Sequence, residues 1–137
     1  MTQTVTAFYG ALNSLVVTGV RRRYAYEPNG LSTADLPAQW VRLPGAALGI
    51  DGGYASACND TSKERTAELV IALEAAGQDT PGAATTALLT MIDALETALD
   101  AWDATRPGYV DYSIQAGAVT VAGVPYWGLI ATVTSRG

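Results

Sequence analysis

Between residues 84 and 103, Leu88, Ile92, Leu95, Leu99 and Trp102 recur at steps of four, three, four and three, which stacks them along one side of a helix. That side has to be buried, and at 1.5 Å per residue the helix is a rod of about 30 Å, long enough to cover one face of a small sheet. Asp93, Glu96, Asp100 and Asp103 recur at almost the same spacing on an adjoining side, so an acidic stripe runs beside the apolar one. Thr80-Pro81-Gly82 supplies a start signal and Arg106-Pro107-Gly108 a stop. The rest of the chain is expected to organise around this element. Each large apolar side chain it buries contributes roughly 1.5 to 3 kcal/mol.

Before the helix, Val5, Phe8, Leu12, Leu15 and Val16 predict a shorter amphipathic helix over 3–18, with Thr2 or Thr4 as cap and Gly19 as stop. Alternation of Val20, Arg22, Tyr24 and Tyr26 with Arg21, Arg23 and Ala25 predicts a strand over 20–26, ended by Glu27-Pro28-Asn29-Gly30. A second short strand is expected over 38–43. Residues 45–63 are rich in Gly, Ala, Ser, Asn and Asp, have no sustained period, and read as a long loop whose one large side chain is Tyr54. From 66 to 74, Ala67, Leu69, Ile71 and Leu73 occupy odd positions, which predicts a third strand, although Val70 and Ala72 would also fit a helix.

After the long helix, Val110, Tyr112 and Ile114 alternate with Asp111, Ser113 and Gln115, and Ala116-Gly117 offers a turn. Val119 and Val121 begin the return. Trp127, Leu129, Ala131 and Val133 share a face further on, so the last third reads as an antiparallel hairpin or a three-stranded meander. No charged residue lies between Asp111 and Arg136, a length sufficient for a membrane span. The alternation, the glycines and Pro125 argue against one. Helix, two strands, loop, strand, helix and closing strands together predict a single α+β domain over 1–137: a mainly antiparallel sheet with one long and one shorter helix packed on one face.

Composition narrows the chemistry. There is no histidine among the 137 residues, which removes the usual triads, most catalytic zinc sites and imidazole acid-base catalysis. A lone cysteine, Cys58, excludes an intrachain disulfide and any Cys-rich metal site, and fits a reducing compartment. Thirteen acidic against eight basic residues, a formal charge of −5, disfavour a protein whose main task is to grip phosphate backbones. No charged n-region followed by an apolar core opens the chain, so export by a signal peptide is not indicated.

The candidate motifs fail on their own terms. Gly49-Ile50-Asp51-Gly52-Gly53 lacks the third glycine and the strand-turn-helix setting of a dinucleotide fingerprint. Glycines at 77 and 82 are not followed by the Gly-Lys-Ser/Thr of a phosphate loop. Asp51, Asn59 and Asp60 lack the alternating acids and terminal Glu of a calcium loop. No catalytic residue, cofactor site or metal site is assigned. Two features remain: Arg21-Arg22-Arg23 and the acidic helix stripe. In a strand, Arg21 and Arg23 point one way and Arg22 the other. They serve either as charges that protect a sheet edge or as contacts to an acidic neighbour or to DNA.

Taken whole, the chain resembles the tail terminator proteins of long-tailed, siphovirus-type bacteriophages. The likeness rests on an N-terminal helix running into the arginine strand, the Ala34-Asp35-Leu36-Pro37-Ala38-Gln39-Trp40-Val41 passage, the long loop, the 66–74 strand, the long helix and the closing Tyr126-Trp127-Gly128 strand. It implies a structural subunit that forms a ring with copies of itself, typically a hexamer, at the head-proximal end of the tail tube. Such a ring stops tube polymerisation, meets the head connector or neck protein, and lets DNA pass through its lumen without sequence-specific binding. The expected place is the virion's tail or neck, assembled in the host cytoplasm, with no membrane partner. Arg21, Arg23, Tyr54, Asp100 and Asp103 are the candidate subunit or partner contacts, with Arg21 and Arg23 expected to meet an adjacent subunit's acidic stripe. Alternatives are a neck or head-closure protein or another minor tail component. A small ligand-binding domain or enzyme, with the 45–63 loop as lid and Asp51 as acid, is a further one.

Overall fold

The computed structural model describes residues 5–42, 56–58, 63–75, 81–105 and 109–136. Among these, the chain runs α1 (Val5–Asn13), β1 (Arg22–Arg23), a 3-10 turn (Thr33–Asp35), β2 (Ala38–Arg42), β3 (Ser56–Cys58), β4 (Lys63–Ala75), α2 (Pro81–Thr105), β5 (Tyr109–Val121) and β6 (Val124–Arg136). The strands form one sheet in the order β1-β2-β4-β6-β5, with β3 paired to β4 beyond the end of β2. Every pairing is antiparallel except β1 with β2. The expected α+β class, a mainly antiparallel sheet with both helices on one face, is what the chain adopts.

One core lies between helices and sheet. Phe8 and Leu12 from α1 and Met91, Leu95 and Leu99 from α2 meet Val41, Ala67, Leu69, Ile71, Leu129, Ala131 and Val133 from the sheet. The helical repeat seen in the sequence is therefore the buried side of α2. The two helices touch through Phe8 and Trp102, whose rings stack at 6.3 Å and 24°. Tyr9 carries α1 to the sheet by donating its hydroxyl to the Thr66 carbonyl at 3.1 Å.

A second core occupies the opposite face, where Trp40 is fully buried with Leu36, Ala38, Val70, Ala72, Val119, Val121 and Tyr126. Tyr24 and Leu31 pack on it from the connection between β1 and β2, which Tyr126 fastens by donating its hydroxyl to the Leu31 carbonyl at 3.3 Å. Burial on both faces explains why β2 and the middle of β4 show apolar residues at successive positions rather than alternation.

Several sequence expectations are corrected. The first helix ends at Asn13 rather than near Gly19. Leu15 and Val17 are buried while Val16 is 73% exposed, so the segment after α1 alternates as an extended chain does. Only Arg22 and Arg23 of the expected 20–26 strand pair with β2. Within the expected 45–63 loop, Ser56–Cys58 is a strand on β4; residues 45–55 and 59–62, Tyr54 among them, lie outside the described residues. The long helix, by contrast, starts at Pro81, within the expected Thr80-Pro81-Gly82 start signal.

The C-terminal third is a hairpin of two 13-residue strands, not a meander, and it turns at Ala122-Gly123 rather than Ala116-Gly117. Both turn residues have positive φ, 51° and 81°, the backbone of a two-residue hairpin turn whose twist matches its strands. Gly117 and Gly128 face each other across the hairpin instead. At Gly128 the neighbouring strand comes so close that a Cβ would collide with the Ile71 carbonyl oxygen and lie 3.3 Å from the Ala72 Cα. The β4-β6 register slips between Ala72 and Glu74, leaving Leu73 as a bulge at this crowded point.

Candidate subunit interface

Arg22 and Arg23 form β1, the edge strand at one end of the sheet, and Arg21 immediately precedes it. Arg23 lies opposite Gln39, whose amide nitrogen donates to the Leu15 carbonyl at 3.0 Å on the helix side. Its guanidinium accordingly reaches the Ser14 carbonyl at 2.9 Å, just beyond α1. Arg22 lies opposite Ala38 and so on the other face, where it pairs with Asp35 at 3.3 Å. Arg21, outside the paired strand, donates to the Ala34 carbonyl at 3.0 Å. The simple alternation expected for the three is thus corrected: Arg21 and Arg22 both reach the 3-10 turn, and Arg23 alone goes to the helix side. All three side chains remain exposed. A guanidinium has five N–H donors, so one bond to the chain's own carbonyl leaves capacity for a second partner.

The opposite end of the sheet is β5, and α2 lies above it. Tyr112 of β5 donates its hydroxyl to Asp100 Oδ1 at 2.6 Å, which fixes the Asp100 flank of α2 over this edge. Glu96 and Asp93 lie on the same flank, four and seven residues back, and both are exposed. Leu89, four residues before Asp93, extends the flank with a side chain 57% exposed. Asp111 of β5 is exposed on the other face, opposite Thr134 of β6. Asp103 belongs to α2, but its side chain lies outside the described residues.

These placements divide the charge. Among the side chains described, the exposed cations are Arg21, Arg22 and Arg23, all at the β1 edge. Of the exposed acids described, Asp93, Glu96, Asp100 and Asp111 stand at the β5 edge, and Glu27, next to Tyr26, follows β1. Arg42 and Glu68, the other ion pair among the described residues, satisfy each other across β2 and β4 at 2.8 Å and are largely covered. Sequence spacing revealed the acidic stripe and the arginine run but not that they occupy opposite ends of one sheet, because strand order is set by long-range pairing. Asp111 and Leu89 were missed for the same reason: neither stands out until β5 is known to be an edge and α2 to lie over it.

Three of the four large exposed apolar side chains described lie near the edges, the fourth being Val124 at the hairpin turn. Val16 and Tyr26, 73% and 77% exposed, precede and follow β1, and Leu89 lies on the α2 flank. Among the described residues no group of His, Cys, Asp and Glu side chains is placed to hold a metal ion, and no helix is long and apolar enough to cross a membrane. Compared with known proteins, the chain matches no protein-family model and no curated protein.

Proposed function

We propose that this protein is a tail terminator: a structural subunit that assembles with copies of itself into a ring, hexameric if it follows the proteins it resembles, on the head-proximal end of a long phage tail. The ring stops growth of the tail tube, offers its other side to a head connector or neck protein, and leaves a lumen through which DNA passes. The protein performs no chemistry and needs no cofactor. Its place is the tail or neck of the virion, after assembly in the host cytoplasm.

The observation that supports this reading best is that, among the described residues, the sheet ends in two edge strands flanked by unlike charge. A subunit whose two sides differ and complement each other associates head to tail, and head-to-tail contacts close into rings when the rotation permits. Net acidity adds to the support, because a passive channel for DNA is served by weak affinity for phosphate. The test is addition of the purified protein to polymerising tail tube protein, with tube length and end structure read by electron microscopy. Short tubes capped at one end by a multi-copy ring are expected. Tubes of unchanged length, or a single copy per tube, would overturn the reading.

A further inference from the structure

The sheet's ends carry more than charge. β5 is a 13-residue edge strand, and along its outer side every second residue turns its N–H and C=O away from β6. Its sequence, Tyr-Val-Asp-Tyr-Ser-Ile-Gln-Ala-Gly-Ala-Val-Thr-Val, contains no lysine, arginine or proline and one acid, so the usual devices that protect an edge are almost absent. At the other end, Arg22 and Tyr24 direct their amides to the Pro37 and Gln39 carbonyls of the β2 side, at 3.3 and 2.8 Å. The intervening amide of Arg23 consequently faces outward. Among the described residues, neither end has a further strand paired to it.

We propose that β5 of one copy takes the β1 edge of the next, so that the sheet and its helix layer continue from subunit to subunit in one direction. The occupant of the β5 edge is a second copy of this chain, and charge selects which part of it. An antiparallel β5-β5 pair related by a two-fold axis would set the Asp93, Glu96 and Asp100 flanks of two copies against each other on the same face of the joined sheet. A β1-β1 pair would do the same with the arginines. Like charges so juxtaposed oppose both symmetric pairings. The head-to-tail pairing instead matches charge on each face separately. On the helix side, Arg23 approaches the flank of Asp93, Glu96 and Asp100; on the other side, Arg22 approaches Asp111. Leu89 from one copy and Val16 and Tyr26 from the next lose their exposure in the same contact.

This inference rests on the ring reading only in taking the partner to be another copy, and it is tested without phage or tube. In a Cys58→Ser background, Arg23→Cys and Glu96→Cys are made as separate variants, their masses measured in solution, and each is treated with a short bismaleimide alone and as an equimolar mixture. The expected result is a crosslinked dimer in the mixture and none from either variant alone. A Glu96→Cys homodimer would replace the proposal with a two-fold contact. An oligomer without mixed crosslinks would overturn the edge contact while leaving a ring by another surface, and monomer without crosslinks at the highest attainable concentration would overturn it outright. Termination of tube growth is read separately, so failure here and failure of the functional reading are distinct.

Discussion

Gly117 and Gly128 are cross-strand neighbours in the β5-β6 hairpin, yet the structure assigns them opposite tolerances. A Cβ at Gly117 meets nothing within 4 Å. One at Gly128 meets the Ile71 carbonyl oxygen, the Ala72 Cα at 3.3 Å and Val119 Cγ2 at 3.2 Å. The first two are backbone in the central strand and cannot swing aside, so Gly128→Ala forces β6 away from β4 where the Leu73 bulge already breaks the register. Overpacking of this kind costs about 1 to 3 kcal/mol, and the upper part of that range applies because the obstacle is main chain. Gly117→Ala adds no clash and removes backbone freedom from the unfolded chain, which stabilises by about 0.5 to 1 kcal/mol. The two variants should therefore differ by roughly 3 kcal/mol, of the order of 10 °C in Tm for a domain of this size. Urea and thermal unfolding followed by circular dichroism measure the difference. Equal stabilities, or a Gly128→Ala protein as stable as the parent, would refute the close approach of β6 to β4.

Ala122 occupies the left-handed region at φ 51° in the hairpin turn, so Ala122→Asn should stabilise by up to about 1 kcal/mol, read as a higher urea midpoint at unchanged slope. Leu99 is fully buried in the helix-side core, and Leu99→Ala should cost about 2 to 5 kcal/mol in the same assay. Leu95→Asp places a carboxylate at an equally buried position and should leave the chain unfolded by circular dichroism. Arg21→Glu with Arg23→Glu removes two exposed hydrogen bonds and should change monomer stability by less than about 1 kcal/mol while lowering self-association, measured by sedimentation.

The long helix, the central strand and the closing hairpin were legible because their apolar residues keep one period over many residues. Short or doubly buried elements were not. β2 is buried at Ala38, Gln39, Trp40 and Val41 in succession, so its sequence carries no alternation from which a second core could be inferred. Both Ala116-Gly117 and Ala122-Gly123 look like turns, and only pairing with β6 decides for the latter. The Val20 to Tyr26 alternation does not carry over into the fold: Val20 packs on the helix-side core and Tyr24 on the opposite one, and parallel pairing with β2 is limited to two residues. Of the candidate contacts, Arg21, Arg23 and Asp100 are exposed at the two sheet ends, whereas Tyr54 and the Asp103 side chain lie outside the described residues.

Strand order also has a kinetic consequence. β5 and β6 are joined by two residues, whereas the β4-β6 pairs run from Glu64 with Arg136 to Ala75 with Tyr126, separations of 72 and 51 residues with all of α2 between them. Closing the hairpin restricts little chain; joining it to β4 restricts a long stretch before any contact compensates. The chain should therefore form the β5-β6 ribbon early and complete its sheet late, with α2 folding back as the step that brings β4 alongside. Until then β6 has an open side as well as β5, and the ribbon can pair with strands of other chains. Pulse-labelled hydrogen exchange should show amides of β5 and β6 protected before those of β2 and β4, and the reverse order would contradict this sequence of events. Dilution during refolding should raise the yield, because the competitor at that stage is another copy of the same ribbon.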